Sequence, residues 1–215
     1  MLQVVAAYRL VFAALAAAAL AWQAHQVVVQ GTGLGNFFSF FTIESNMIGI
    51  VVLAWGGVAS WRGRFIPDTL RGAAVVYLVI TGVVYAVLLA DLPHQSTDPW
   101  MNTVVHQVMP VVLVADWLIA PPRRRLAPRE VWWWLVFPLV FLAYTLVRGP
   151  GVDWYPYPFL DPRPHGYGPV VLGAAGVGVG FVVTTVLVWW AGSALGRRPV
   201  RAAARPRAGS APPAP

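Results

Sequence analysis

The residues best suited to chemistry lie in a stretch that is otherwise apolar, Phe37-Phe38-Ser39-Phe40-Phe41-Thr42-Ile43-Glu44-Ser45-Asn46-Met47-Ile48-Gly49. In a helix, Ser45 and Asn46 follow Thr42 by three and four residues and share its face. Glu44, two residues on, is rotated away by roughly 200°. A threonine hydroxyl becomes a nucleophile when a base takes its proton, and histidine is the usual base near neutral pH. His106 sits inside a later apolar run, with Asn102 four residues before it to orient the ring. Asn46 and Ser45 are placed to donate hydrogen bonds to an oxyanion. Glu44 is better suited to a partner on another helix, His25 or an arginine at the same end, than to a relay through His106.

The elements that must position these residues are membrane helices. The chain has 215 residues, of which 58% are hydrophobic and 11% charged, whereas a soluble domain carries about 25% charged residues. Apolar windows of about 20 residues span a bilayer as helices. Six such windows occur, at about 4–28, 37–60, 73–90, 101–120, 131–147 and 169–195. The first is too long for a signal-peptide core and reads as a retained helix. The expected fold is therefore an all-α integral membrane bundle of six transmembrane helices over residues 1–195. A tail at 196–215, rich in Arg, Ala and Pro, cannot bury a core and is expected to be disordered.

All 15 basic residues are arginine, and most fall in the loops that share a side with the tail. The positive-inside rule then puts both termini in the cytoplasm and the protein in a cell membrane, a bacterial inner membrane by its composition. Orientation accounts for these arginines, so no nucleic acid is expected as a partner. Cysteine is absent, which excludes disulfides and thiol chemistry. The four histidines His25, His94, His106 and His165 lack a recognised ligand spacing, so no metal is expected. Gly31-Thr32-Gly33-Leu34-Gly35 has the wrong spacing for a dinucleotide fingerprint.

With six spans, the second and fourth helices run in the same direction. Thr42 and His106 each lie about five residues below the same end, at one depth to within about one turn. An acyl chain in that leaflet would reach them. The plain structural alternative is that Thr42 and Ser45 bond their own backbone and His106 ties helices together. Asp116 reads as a structural polar residue meeting Arg123 or Arg124. Trp132-Trp133-Trp134 and Trp189-Trp190 read as interfacial belts. Trp154 to Asp161 is too aromatic and Pro-rich for an ordinary loop, and Tyr155, Tyr157 and Asp161 are candidates for a lid over the site. Gly176 and Gly180 suit close helix packing, within the protomer or in a homo-oligomer.

The run from Phe37 to Asn46, His106 with Pro110 four residues later, Asp116-Trp117-Leu118, and Tyr155-Pro156-Tyr157-Pro158-Phe159-Leu160-Asp161 together resemble the bacterial Pr6Pr family of six-helix membrane proteins. More distantly, the pattern is similar to the androgen-induced protein family of intramembrane threonine hydrolases, which cleave fatty acid esters of hydroxy fatty acids. The resemblance implies a Thr42 nucleophile and a His106 base acting on a membrane lipid or acyl substrate, with no cofactor. The competing expectation is a non-catalytic membrane protein that binds or transports a lipid or small solute through the same polar pocket.

Overall fold

The computed structural model describes residues 2–91 and 98–196; His94 and the tail beyond Gly196 lie outside the described residues. The described residues form an all-α bundle. Six helices are long and apolar enough to cross a membrane: α1 (Leu2–Val29), α2 (Phe41–Trp61), α3 (Asp68–Leu89), α4 (Pro99–Ile119), α5 (Pro128–Val152) and α6 (Tyr167–Leu195). Two single turns, Leu34–Phe37 and Pro158–Leu160, decorate the connections at one end.

Three helix boundaries differ from the sequence reading. The second span opens at Phe41 rather than Phe37, because the chain breaks after the Leu34–Phe37 turn and Phe40 is extended (φ −85°, ψ 129°). Ser39 stabilises the break by donating to the Gly35 carbonyl at 2.6 Å. The third helix begins at Asp68, which draws Arg71 out of the expected loop and into the first turn. The fifth runs on to Val152 and takes in Arg148 and Pro150.

Helix α3 forms the middle of the bundle and packs on α2, α4 and α6. Its Ala74, Val76 and Leu78 are fully buried. Helices α1 and α2 form the closest pair, and small residues allow it. Ala6, Ala13, Ala16 and Ala19 of α1 are buried. A Cβ on Gly57 would lie 2.7 Å from Leu10 Cγ, so only glycine fits this crossing. Gly176 and Gly180 are not at such a crossing among the described residues: none of these comes within 4 Å of a Cβ at 176, and at 180 the Ile80 Cδ1 is at an ordinary 3.5 Å. Of the three consecutive tryptophans, Trp132 and Trp133 are exposed, but Trp134 is buried against Gly72 instead of joining a belt.

The charged residues of the far end do not pair as expected. Asp116 meets neither Arg123 nor Arg124. It accepts from Arg9 Nε at 2.6 Å and from Arg71 Nη2 at 2.8 Å, with all three residues buried. Arg9 also donates to Ser60 at 2.8 Å, and Arg71 to the Ala120 carbonyl at 2.6 Å and to Asp68 at 3.0 Å. The cluster thus ties α1, α2, α3 and α4. Arg123 and Arg124 lie past the end of α4, where Arg123 stacks over Phe65 and Arg124 pairs with Glu130. Removing one member of a buried pair strands the other charge. Asp116→Ala, which leaves two buried guanidiniums, is expected to lose about 3–5 kcal/mol of stability. Denaturant unfolding in detergent micelles checks this, and Arg124→Ala is the near-neutral comparison.

Candidate functional site

The site forms at the opposite end of the bundle, where α2 begins. Thr42 is the second residue of α2 and is 8% exposed. Its Oγ1 lies 3.2 Å from His106 Nε2. The two residues singled out from the sequence are therefore in hydrogen-bond contact, although Thr42 sits higher in its helix than the depth argument supposed.

The His106 ring has a defined tautomer. Its Nδ1 is 3.2 Å from the Asn102 carbonyl oxygen, which can only accept. In the neutral ring the proton therefore sits on Nδ1, and the Nε2 lone pair faces the Thr42 hydroxyl. Tyr85 stacks on the imidazole with centroids 4.1 Å apart, and its hydroxyl receives a 2.6 Å bond from the Asn102 side chain. Asn102 thus orients the ring through its carbonyl and through Tyr85, not by a direct amide contact.

Local sequence explains why His106 can reach across. Pro110 has no N–H to give to the His106 carbonyl four residues earlier. The helix responds with a π turn over Val104–Val108. The His106 carbonyl then sits against Gly82 of α3, where a Cβ would meet it at 3.0 Å. Helix α3 carries its own π turn, Tyr85–Leu89, which begins at the stacking tyrosine.

The expected oxyanion donors are otherwise engaged. Both N–H groups of Asn46 are taken, by the Thr42 carbonyl at 2.8 Å and the Val105 carbonyl at 3.2 Å. The Ser45 hydroxyl lies 3.2 Å from the Thr42 carbonyl and 2.9 Å from Thr81 Oγ1, and Thr81 gives its own proton to the Tyr77 carbonyl. These contacts hold the Thr42 backbone and leave neither residue free to face a reacting oxygen. Glu44 is half-buried and pairs with neither His25 nor an arginine among the described residues. His25 lies beside Trp22 instead.

Sequence reasoning marked Tyr157 only as a lid residue. Its phenol oxygen accepts the Thr42 amide at 3.2 Å and lies 3.5 Å from the Thr42 hydroxyl. The Phe41 amide also points at it. Phe40, at the N-cap position, offers no capping side chain, so the phenol caps α2 from outside. That uncapped start was the available signal. Burial pushes the Tyr157 hydroxyl up to about 12, so it keeps its proton at neutral pH.

The rest of the segment holds Tyr157 in place. Arg163 pairs with Asp161 at 2.6 Å and Asp153 at 2.9 Å. The guanidinium holds the Asp161 carboxyl below its usual range. Tyr155 is buried on Gly149 of α5, where any Cβ would collide with its ring.

Beneath Thr42 lies a cavity of about 500 Å³. Its walls come from α3, α5 and α6, with Tyr157, Phe159 and Leu160 as the roof. Among the described residues, Thr42, Thr81 and Tyr157 supply its polar groups and no charged residue lines it. Among the described residues, no three His, Asp or Glu side chains converge to hold a metal ion. No family model, curated protein or solved structure matches the chain.

Tyr157→Phe removes the cap but keeps the ring. The expected cost is about 1 kcal/mol, and the Phe41 and Thr42 amides should exchange with solvent faster while those of Gly49 to Leu53 do not. Hydrogen exchange with residue-level readout checks this.

Proposed function

We propose that this protein is an intramembrane hydrolase that cleaves a lipid ester, such as a fatty acid ester of a hydroxy fatty acid, with Thr42 as nucleophile and His106 as base. The observation that carries this reading is the Thr42 Oγ1–His106 Nε2 contact of 3.2 Å, with the ring tautomer set by the Asn102 carbonyl. A neutral imidazole with its lone pair on a hydroxyl is the arrangement that general-base activation needs. The resemblance to the Pr6Pr and androgen-induced protein families, which falls on the same two residues, supports it further. The arginine-rich loops favour an orientation with both termini in the cytoplasm and the site in the outer leaflet.

In the proposed reaction, Thr42 Oγ1 attacks the ester carbonyl carbon while its proton passes to His106 Nε2. The carbonyl π pair moves onto oxygen. The Tyr157 O–H is the group placed to donate to that oxyanion, since its own oxygen is already bonded to the amide that opens α2. Collapse breaks the bond to the alcohol oxygen, which leaves with the proton from His106. Water, deprotonated by His106, then attacks the acyl-threonine; the ester bond to Thr42 breaks and Oγ1 recovers a proton.

The competing reading is a protein that binds or transports a lipid through the same cavity. A fluorophosphonate probe applied to the full chain in detergent separates the two. The hydrolase reading expects a covalent adduct on Thr42 by peptide mass spectrometry. Labelling should be abolished in Thr42→Ala and slowed about 10²–10⁴-fold in His106→Ala. Absence of an adduct on a folded preparation would favour the binding protein.

A further inference from the structure

The cavity beneath Thr42 has a shape that specifies more than a generic lipid. It extends along α6 from Ala174 to Val183, roughly 14 Å at the rise of a helix. Thr42 lines it and His106 does not. On the other side, Leu139 of α5 and Val179, Val182 and Val183 of α6 both line the cavity and are exposed on the outer surface of the bundle. Below the first turns of α5, that helix and α6 do not pack closely against each other. The cavity therefore opens sideways, between two helices, onto the surface that faces lipid.

From this geometry we infer that the cavity is the binding site for the acid-side chain of the ester, one unbranched acyl chain that enters from the bilayer between α5 and α6, and that Gly178 sets how long a chain it accepts. The inference rests on the hydrolase reading for which half of the ester is bound. His106 must protonate the leaving alcohol, so the alcohol side lies toward His106. The acyl side then lies on the other flank of Thr42, where the cavity is. Uncharged walls of this size suit a hydrocarbon chain and exclude a headgroup. Gly178 lines the cavity, and nothing lies within 4 Å of a Cβ built on it. Gly178 is exposed where the cavity opens, so a larger side chain there would narrow the opening without striking any described residue. Gly176, two residues away on α6, also has nothing within 4 Å but does not line the cavity.

The test uses the full chain in detergent or proteoliposomes and two readouts. The first is hydrolysis of p-nitrophenyl butyrate and p-nitrophenyl palmitate by the native protein, Gly178→Leu and Gly176→Leu. Gly178→Leu is expected to lose about tenfold or more in kcat/KM on the palmitoyl ester and to keep the butyryl rate within about threefold, while Gly176→Leu leaves both unchanged. The second is photocrosslinking with palmitate carrying a terminal diazirine, mapped by peptide mass spectrometry. Adducts are expected on the segment from Leu139 to Leu142 or from Val177 to Val183 and should vanish in Gly178→Leu. Hydrolysis with crosslinks elsewhere, or an equal loss on both esters, overturns the acyl site and leaves the hydrolase reading standing. Crosslinks in the cavity without hydrolysis of either ester overturn the hydrolase reading and the acid-side assignment, while a chain-binding cavity remains. No crosslink in a folded preparation overturns the cavity as a lipid site.

Discussion

A membrane offers no water to an unpaired amide, and the structure of the site follows from that constraint at the start of α2. The first amides of any helix lack acceptors in their own turn. Here the chain supplies no Ser, Thr, Asp or Asn at the cap position, because that position is Phe40. The acceptor comes instead from Tyr157, more than a hundred residues later. A local shortfall thereby fixes a long-range contact. It draws the segment between α5 and α6 over the end of the bundle and brings a phenol to the hydroxyl of Thr42. The ion pairs of Arg163 with Asp153 and Asp161 then hold the segment in that position.

The same logic shapes α4. Pro110 removes one backbone donor, and the π turn that results changes the direction in which His106 points. The ring proton is satisfied by a carbonyl of its own helix, and the ring face by Tyr85. What is left over is the Nε2 lone pair, and it is met by Thr42. Three backbone irregularities at this end, the break before Phe41 and the two π turns, fall beside or at Thr42, His106 and Tyr85. Irregular membrane helices are tolerated where neighbours satisfy the freed groups. At the start of α2 the group that does so is Tyr157, which the proposed reaction also uses.

Much of this was legible in the sequence, for reasons that can be named. Apolar length alone located six helices, because the bilayer thickness sets that length. The pairing of Thr42 with His106 followed from helix direction and approximate depth, and the two side chains do meet, at 3.2 Å, although Thr42 stands in the first turn of α2. The partners of Asp116 were not legible. Sequence proximity favoured Arg123 and Arg124, but a buried carboxylate takes the charges that are buried with it, and Arg71 entered the membrane only because α3 starts at Asp68. The partners of Ser45 and Asn46 were not legible for a related reason. Helical spacing shows which face a side chain occupies but not which carbonyl has already claimed its protons, and here that carbonyl belongs to Thr42 itself.

The cavity has its own cause, which lies in how α5 is attached. At one end Trp134 is buried against Gly72. At the other, Tyr144 shares a 2.8 Å bond with Ser39, Arg148 donates to Asn36 at 2.7 Å, and Gly149 receives the ring of Tyr155. Between these ends α5 touches the bundle through rings, Phe137 on Tyr77 and Phe141 on Phe41, and below its first turns it packs only sparsely on α6. These rings set α5 off from α2 and α3 at a distance that small residues would close. Across the gap α6 presents Ala174 and Gly178 among Val177, Val179, Phe181, Val182 and Val183. A helix pinned at both ends and propped in the middle by rings leaves space beside it, and Thr42 lines that space.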